Sequence, residues 1–297
     1  MQRVLVSILN YNSYQDTIKA VLCYQVQSYP HVDIQIVDNA SSDRSVERII
    51  KRFPDIPVIP LGHNGGYAGG NNVALEMAVN GGYDYVVISN ADVVVDAECL
   101  THLVDTACAY PDCGMVGGVE IDFKTGRVIS AGGFGYNKWL SRGRWLSGVS
   151  LDCSCPSRVD YVQGSVCLFS RQALLRGIRF DSNLFMYLEE IDVGLQLRKA
   201  KLAAYLNPLC KILHKRSAGR FNPMAGYFIQ RNRLYMARKC SPFYVFACNA
   251  IFTCIFELSA KIVIRSFQGR FRFIRACIAG YVDGIRGNMA QGRGLLV

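Results

Sequence analysis

Three acidic residues occupy four consecutive positions at Glu189, Glu190 and Asp192. They directly follow the apolar and aromatic run 184–188, so partial burial and mutual repulsion would raise the pKa of at least one carboxyl group. A carboxyl group with a raised pKa can serve as a general base. The same acids could instead form the solvated first turn of the helix expected up to about Ala200, where the helix dipole favours carboxylates.

Polar residues also follow four short β-rich segments in the first third of the chain. The strands are expected over residues 3–9, 31–37, 56–60 and 83–89. Amphipathic helices are expected between them over residues 14–27, 43–52 and 71–79. This βαβαβαβ order predicts a mainly parallel sheet, in which ligands bind beyond the carboxyl ends of the strands. The polar residues found at those ends are 10–12, 38–40, 64–72 and 90–92.

Two of these polar segments have more than one interpretation. Asp38 opens the segment 38–43 and could accept hydrogen bonds from a base or ribose, or could belong to a turn that caps the next helix. The segment 62–72 contains five glycines beside asparagines, and it could bring backbone amides to a phosphate at a helix start or could be a flexible loop. It is not a Walker loop, because no Gly-Lys-Ser/Thr follows.

Taken together, these segments resemble the inverting glycosyltransferase family 2, which has the nucleotide-sugar-binding glycosyltransferase-A fold. The resemblance covers nearly all of the chain and follows the family's order. The matching segments are 10–12, 37–43, 64–72, 89–92, Gly164-Ser165, 185–192, His214 followed by Ser217, and Arg231-Asn232-Arg233. It implies an α/β protein with a Rossmann-like, mainly parallel sheet flanked by helices. The expected domains are a catalytic domain over 1–222 and a helical, basic region over 223–297.

The resemblance is greatest to rhamnosyltransferase-like members that build bacterial surface polysaccharides such as O-antigen. It implies a nucleotide-sugar donor, with dTDP-rhamnose as the first expectation and a UDP-sugar as the alternative. The acceptor would be a lipid-linked saccharide on a polyprenyl carrier, or another saccharide. Seven residues match donor-binding positions of the family: Asn10, Asp38, Asn39, Asn64, Gly66, Asn71 and Asn90.

A divalent cation, Mg²⁺ or Mn²⁺, is also implied. The family's Asp-x-Asp element is matched by Asn90-Ala91-Asp92, so Asp92 is the one ionisable ligand that this element supplies. His214 matches a histidine ligand of related transferases, and an imidazole suits Mn²⁺ better than Mg²⁺. A lone histidine could instead have a hydrogen-bonded structural role.

The match to the acidic motif implies that Glu190 is the general base, although the family more often has aspartate there. Asp192 would orient the acceptor or fix the helix start. Further candidates for contacts with the acceptor or its phosphates are Glu189, Trp139, Trp145 and Arg231. The two tryptophans could instead form a small core of their own loop.

The net charge of +10 is concentrated in the last third of the chain. Residues 211–297 contain fifteen Lys and Arg but only Glu257 and Asp283 as acids, and four of the arginines follow the apolar stretch 242–264: Arg265, Arg270, Arg272 and Arg275. That stretch is interrupted by polar residues, which predicts an interfacial helix or a buried hairpin rather than a membrane span. The combination predicts a peripheral protein at the anionic inner face of the bacterial cell membrane, although the arginines could also bind an acceptor's pyrophosphate.

Other function classes fit the sequence less well. The first residues lack the layout of a signal peptide, which predicts a cytoplasmic protein. Nucleic acid is not an expected partner, because no recognition module is present and the first two thirds of the chain are net negative. The joint presence of Asp38, Asp92, Glu190 and His214 disfavours a non-catalytic membrane-binding protein. A processive synthase would need flanking membrane spans and a Gln-x-x-Arg-Trp motif.

The twelve cysteines are scattered, without a Cys-x-x-Cys pair. This distribution predicts reduced thiols in the core, with Cys153 and Cys155 as the one close pair that could bind a metal.

Overall fold

The computed structural model describes residues 2–147, 154–215 and 222–289, and the chain divides into two compact units. The first, called here the sheet unit, comprises Met1–Phe134, Trp145–Phe180 and Glu190–Arg216. The second, called the helical unit, comprises Gly135–Arg144, Asp181–Glu189 and Ser217–Val297. The chain therefore enters the helical unit three times. The expected division into a catalytic domain over 1–222 and a helical, basic region over 223–297 stays a prediction.

The sheet unit is built on a ten-stranded sheet. Its strands are β1 (Val4–Asn10), β2 (Val32–Asp38), β3 (Val58–Pro60), β4 (Tyr85–Asn90), β5 (Val93–Val95), β6 (Cys113–Asp122), β7 (Val128–Ser130), β10 (Ser157–Val159), β11 (Val166–Ser170) and β12 (Ala203–His214). The main order is β10-β12-β6-β11-β4-β1-β2-β3, with β5 paired to β12 and β7 paired to β6. Strands β8 (Gly133–Asn137) and β9 (Arg142–Trp145) form a separate pair.

Strands β1 to β4 are parallel to one another and lie in the order β3-β2-β1-β4. In this register Asn10 lies opposite Asp38, and Leu9 lies opposite Asn90. The polar residues that end these strands are therefore neighbours at one edge of the sheet. Strand β11 then runs antiparallel between β4 and β6, and β12 returns parallel to β6.

Helices cover both faces of the sheet. They are α1 (Tyr14–Gln25), α2 (Ser45–Arg52), α3 (Gly66–Asn80), α4 (Cys99–Ala109), α5 (Arg171–Leu175) and α6 (Glu189–Lys199). Strand β1 is buried on both sides: Val4, Val6 and Ile8 belong to one apolar core, and Leu5 belongs to the other. Burial on two faces is typical of parallel strands that have helices above and below them. The predicted α/β fold is confirmed.

Helix α3 begins at Gly66, earlier than the predicted start at residue 71. Three of the five glycines, Gly66, Gly69 and Gly70, thus belong to its first two turns. A Cβ atom at Gly70 would lie 2.6 Å from Leu9 Cδ1, so glycine lets the helix approach β1 closely. Glycine lowers intrinsic helix propensity, and this explains why the pattern alone placed the start later.

The helical unit contains α7 (Pro223–Cys240), α8 (Phe243–Phe252), a π-helical turn (Thr253–Leu258), α9 (Ser259–Phe267) and α10 (Phe271–Arg286). Asn222 caps α7, because its side chain accepts a hydrogen bond from Met224 N. Helices α7 and α10 cross closely, since a Cβ atom at Gly280 would lie 2.2 Å from the carbonyl oxygen of Tyr227.

Helix α8, the π turn and α9 form one continuous helix, Phe243–Phe267. Among the described residues it is the one helix whose length and composition would suffice to cross a membrane. Only 22% of its most apolar window is buried, so it is not an ordinary core helix. The sequence-based expectation of a buried hairpin is therefore not met.

The cysteines only partly follow the expectation of buried thiols. Cys99, Cys113, Cys167, Cys210 and Cys277 are buried, but four others are exposed: Cys108, Cys155, Cys248 and Cys254. Cys153 lies outside the described residues, as does Ser217 of the histidine motif.

Candidate active site

Asp38 and Asn10 form a buried pair at the carboxyl ends of β1 and β2. Asn10 Nδ2 donates to Asp38 Oδ1 at 2.6 Å, and Thr17 Oγ1 donates to Asn10 Oδ1 at 2.6 Å. Asp38 also accepts hydrogen bonds from the backbone N and the hydroxyl group of Ser41. Asp38 therefore shapes the turn after β2, which was one of its two expected roles, while Asn10 fixes the position of its carboxylate.

The glycine-rich segment is held by asparagine side chains. Asn39 Nδ2 donates to Asn64 Oδ1 at 2.9 Å and to the carbonyl group of Gly66 at 3.0 Å. The amides of Gly65 and Gly66 donate to Asn39 Oδ1 and Asn64 Oδ1, respectively. These two amides are thus already used within the protein, contrary to the expectation that glycine amides here would be open to a phosphate. Asn71 is buried nearby in α3.

Asp92, His214 and Glu120 form a second cluster. His214 pairs with Val93 across β5 and β12, and Lys215 N donates to the carbonyl group of Asp92. This register brings His214 Nε2 to 3.1 Å from Asp92 Oδ1, while His214 Nδ1 contacts the carboxylate of Glu120, which is fully buried on β6. Burial lowers the pKa of His214, but the hydrogen bonds and charges of the two carboxylates outweigh it and raise the pKa to about 9.

This second cluster fits a divalent cation that shares its coordination with other molecules. Within the described residues, no three His, Cys, Asp or Glu side chains are arranged to hold a metal by themselves. Asp92 and His214 can supply one oxygen and one nitrogen ligand, and phosphates and waters often supply the rest. Glu120 occupies the other ring nitrogen, as the carboxylates that orient metal-bound imidazoles do.

Sequence reasoning missed Glu120. The signal that could have found it is a single acid inside the apolar run of β6, because a carboxylate is rarely fully buried without a partner.

Glu190 lies beside Gly164, next to the end of β4. A Cβ atom at Gly164 would lie 3.0 Å from Glu190 Oε1 and 2.7 Å from Tyr67 Oη. Tyr67 Oη donates to the carbonyl group of Gly164 at 2.6 Å, and Asn90 N donates to the carbonyl group of Ser165 at 2.8 Å. Residues from the glycine-rich segment, the Asn90 strand end and α6 therefore meet at Gly164.

The pKa of Glu190 is raised to about 7. Burial is the main cause and the negative charge of Glu120 adds to it, while hydrogen bonds from the backbone at Glu190 and Gly164 oppose the shift. A carboxyl group with this pKa can accept a proton near neutral pH, as the sequence predicted for one of the three acids.

The other two acids of the motif are placed differently. Asp192 is buried and accepts a hydrogen bond from Gln196 Nε2 at 2.7 Å, one helical turn further along α6. The expected role of Asp192, orienting the acceptor or fixing the helix start, stays a prediction. Glu189 is also buried and belongs to the helical unit.

The two tryptophans predicted to contact the acceptor belong to different units. Trp145 belongs to the sheet unit, where it packs edge-on against Tyr161 at 4.8 Å between ring centroids. Trp139 belongs to the helical unit, where it is exposed and lies 6.2 Å from the ring of Tyr244.

Arg231 is fully buried in the helical unit. Its Nη2 donates to the carbonyl groups of Asn183 and Leu184 at 2.8 and 2.9 Å. The guanidinium group of Arg231 is therefore not accessible to an acceptor phosphate. We assign Arg231 a structural role instead of the predicted acceptor contact.

Arg231 and its neighbour Asn232 together hold the loop that precedes α6. Asn232 Nδ2 donates to the carbonyl groups of Leu184, Met186 and Tyr187. The loop needs such support, because three of its residues that are not glycine have positive φ angles: Phe185 (63°), Tyr187 (69°) and Leu188 (72°). Strained backbone of this kind persists only where its surroundings fix it.

Comparisons with known proteins agree with this architecture. Residues 5–174 match the model of glycosyl transferase family 2. The N-acetylglucosaminyl-diphospho-decaprenol L-rhamnosyltransferase of Mycobacterium tuberculosis is 28% identical over 206 residues, which cover 63% of this chain and 67% of that protein.

Solved structures of glycosyltransferases have a similar fold. GalNAc-T7 with UDP, GalNAc and Mn²⁺ has a TM-score of 0.60 at 13% identity; the match covers 72% of this chain and 43% of GalNAc-T7, less than half its length. The mannosyltransferase of Pyrobaculum calidifontis with GDP-Man and Mn²⁺ has a TM-score of 0.57 at 16% identity, over 96% of this chain and 87% of that chain. Residues 1–349 of S. aureus TarS have a TM-score of 0.55 at 13% identity, over 97% and 82%.

The matched family model spans more than half of the chain, and the fold, the strand-end polar residues and the acidic motif have the order expected for it. The chain therefore belongs to glycosyl transferase family 2.

Proposed function

We propose that this family 2 enzyme is an inverting, divalent-metal-dependent transferase that moves one sugar from a nucleotide diphosphate donor to a lipid-linked saccharide acceptor. The observation that carries the proposal is the position of the Glu190 carboxylate beside Gly164, next to the strand end that continues through Asn90 to Asp92. The raised pKa of Glu190 supports it. A group able to take up a proton thus stands next to residues suited to a diphosphate.

Glu190 acts as the general base. Its carboxylate accepts the proton of the acceptor hydroxyl group while that oxygen bonds to the anomeric carbon and the bond from this carbon to the donor phosphate breaks. The acceptor oxygen attacks from the face opposite the nucleotide, so the configuration at the anomeric carbon inverts, and the nucleoside diphosphate leaves with the bonding electrons. Base catalysis of this kind typically contributes about 10²–10⁴-fold to the rate.

Asp92 and His214 would hold Mg²⁺ or Mn²⁺, and the cation would supply positive charge that stabilises the diphosphate leaving group. Glu120 keeps the His214 ring in place through Nδ1. Asp38 and Asn39 contact the nucleoside, while the remaining donor candidates, Asn10, Asn64, Gly66, Asn71 and Asn90, shape the loops around it.

Rhamnose from dTDP-rhamnose is the proposed donor sugar, and a polyprenyl diphosphate-linked saccharide is the proposed acceptor, in bacterial surface polysaccharide synthesis. The support is the mycobacterial relative, whose name specifies L-rhamnosyl transfer to N-acetylglucosaminyl-diphospho-decaprenol. UDP-sugars are the second candidate, favoured by the similarity in fold to the UDP-containing GalNAc-T7 structure.

The enzyme would work in the cytoplasm, bound peripherally to the anionic inner face of the cell membrane, where such an acceptor is found. The excess of basic residues after residue 211 supports this location. We propose no nucleic acid partner, because those basic residues adjoin an exposed apolar helix.

The test is transfer with purified protein and a short-chain polyprenyl diphosphate-linked GlcNAc. Release of UDP, dTDP or GDP from a panel of nucleotide sugars would be measured with and without acceptor. Acceptor-dependent release of dTDP is expected with dTDP-rhamnose. Turnover with a UDP-sugar alone would replace the proposed donor, and failure of every donor with Mg²⁺ and Mn²⁺ present would refute the transferase assignment.

A further inference from the structure

The continuous helix Phe243–Phe267 turns its polar residues toward the protein. Asn249 and Thr253 are 1% and 2% exposed, and Glu257 follows at the same four-residue interval, so the three side chains share one face. Asn249 Nδ2 donates to the carbonyl group of Trp139 at 2.6 Å, and Glu257 binds Arg233. The packed face of the helix therefore carries these polar side chains together with the buried apolar residues Phe246 and Ala250.

The opposite face is apolar and exposed. Phe256 is 61% exposed and Phe267 is 90% exposed. Other exposed apolar side chains of the same helix are Phe243, Tyr244, Ile251, Phe252, Ile255, Ile262, Val263 and Ile264. A surface helix of a water-soluble protein normally presents charged and polar side chains on its outer face. An exposed apolar surface of this extent marks a site of contact with a membrane or another protein.

The nearby acids are kept inside the helical unit. Glu257 Oε2 lies 2.5 Å from Arg233 Nη1 and 2.7 Å from Arg142 Nη2. Asp283 is also buried and accepts a hydrogen bond from Tyr227 Oη at 2.8 Å. Residues 222–289 contain no other acid, so the outside of this region presents no carboxylate.

Basic residues adjoin the apolar face. Arg265 lies in the last turn of α9, and three exposed arginines follow it: Arg270, Arg272 and Arg275. Residues 222–289 thus contain more basic than acidic residues, and such an excess of positive charge beside an apolar surface is complementary to anionic lipid headgroups. This charge pattern favours lipid over a second copy of the chain, because two copies would bring like charges together.

We propose that Phe243–Phe267 lies in the plane of an anionic bilayer, with its exposed apolar side chains in the acyl-chain region and its packed face on the rest of the helical unit. This inference rests on the proposed membrane-bound acceptor. An in-plane position follows from contacts along the helix: Tyr281 Oη donates to the carbonyl group of Ala250, and Glu257 binds Arg142 and Arg233. A helix that crossed the bilayer would carry these arginines into hydrocarbon, where charged side chains are strongly disfavoured.

Co-sedimentation with phosphatidylglycerol/phosphatidylcholine vesicles tests the apolar face. The variant is I251S/I255S/F256S, and the matched control is V26S/I50S/M77S, which changes three exposed apolar residues of the sheet unit. The vesicle partition coefficient of the first variant should fall at least ~100-fold, because each buried apolar side chain contributes about 1.5–3 kcal/mol. The control should bind as the wild type does. Equal loss in both variants would contradict the proposal.

The arginines are tested separately by replacing Arg265, Arg270, Arg272 and Arg275 with Gln. Binding to anionic vesicles should weaken and lose most of its salt dependence, because electrostatic attraction is screened by ions. If binding and its salt dependence were unchanged, the four arginines would not contribute to membrane docking, contrary to the proposal.

Insertion itself is tested by Trp fluorescence with acyl-brominated lipids. Phe256→Trp should add emission that these lipids quench, whereas Phe246→Trp, at a buried position of the same helix, should add emission that they spare. Equal quenching, or none at residue 256, would overturn the proposal. A dimer in solution that I251S/I255S/F256S dissociates, without any vesicle binding by the wild type, would identify a second copy as the occupant. Transfer to a water-soluble acceptor analogue, measured on the same preparations, tests the proposed function independently.

Discussion

Two half-buried glutamates, one in each unit, have pKa values shifted in opposite directions. Burial, together with the negative charge of Glu120, raises the pKa of Glu190 to about 7. Burial also favours a higher pKa for Glu257, but Arg233 and Arg142 outweigh it and lower the pKa. Equal residue types thus differ in chemistry because one has a negative neighbour and the other has two guanidinium groups.

The difference separates a reactive site from a structural one. In the helical unit, Asp181 is bound by Lys239 and Tyr235, and Glu257 by two arginines, so these acids stay ionised and serve packing. In the sheet unit, Glu190 keeps an affinity for protons near neutral pH. A carboxyl pKa that is shifted toward neutral pH, more than burial alone, therefore identifies Glu190 as the candidate base.

The largest expected effect is that of Glu190→Gln. The amide keeps the size and most of the hydrogen bonding of the side chain but cannot accept a proton, so kcat should fall by ~10² or more while donor binding is retained. In the wild type, kcat/KM should rise with pH through an apparent pKa near 7. Steady-state kinetics over a pH series and donor titration calorimetry measure both. Near-normal turnover of this variant would remove Glu190 from the mechanism.

The next effect concerns the Asp92–His214–Glu120 cluster. Asp92→Ala should weaken donor binding, and His214→Ala should shift the metal preference away from Mn²⁺. Glu120→Ala should lower Mn²⁺ affinity about 10–100-fold, because the imidazole loses the carboxylate that orients it. Electron paramagnetic resonance of free Mn²⁺ with dTDP or UDP present measures the affinity.

Asp122→Asn, two residues along β6, is the matched control for Glu120→Ala. Full activity of the wild type in excess chelator would show that the cluster works without a cation. Unchanged Mn²⁺ affinity in a folded Glu120→Ala protein would contradict its orienting role.

Glu257→Gln should act on stability rather than on chemistry. Removing the carboxylate leaves Arg233 without its buried partner, and the expected loss is about 1–3 kcal/mol in the free energy of unfolding. Chemical denaturation measures this loss, with Glu47→Gln, at an exposed ion pair, as the control. If Glu257→Gln instead lowered kcat as much as Glu190→Gln does and left stability unchanged, Glu257 would not have the structural role assigned to it.

Gly164→Ala should have a smaller effect on turnover. The added Cβ atom would press on Tyr67 Oη and Glu190 Oε1, so kcat should fall several-fold, on the order of the loss from a small misplacement of a catalytic group. Gly69→Ala is the control, because a Cβ atom there meets no atom within 4 Å. Equal kinetics of the two variants would mean that Gly164 does not set the position of Glu190.

The smallest effect is the pH dependence of stability. The folded-state pKa of Glu190 lies above the value of about 4.3 for an unfolded chain, so its contribution is present at low pH and is lost as pH rises toward 7. The folded-state pKa of Glu257 is lowered, so its contribution is present above about pH 4.3 and is lost as the solution becomes more acidic. Denaturation of Glu190→Gln and Glu257→Gln across pH should show opposite slopes relative to the wild type. Parallel slopes would contradict the assigned pKa directions.

Local sequence patterns predicted the parallel half of the sheet and the polar strand ends, because side-chain alternation and turn residues are encoded within a few positions. They missed Glu120, since its partner His214 lies far along the chain and is brought close only by the β6–β12 pairing. The structural role of Arg231 was missed for the same reason: its acceptors lie in another segment. The three-segment make-up of the helical unit has no signature in the sequence.

The hydrogen bonds from Arg231 and Asn232 to the loop before α6 limit where the protein can be truncated. A protein shortened before Pro223 would keep the strained loop but lose the donors for the carbonyl groups of Asn183, Leu184, Met186 and Tyr187. That loop leads directly into Glu190, so truncation would disturb the base even though the deleted helices contain none of the acidic motif. For the same reason, chimeras that exchange C-terminal helices between relatives would need to exchange residues 181–189 with them.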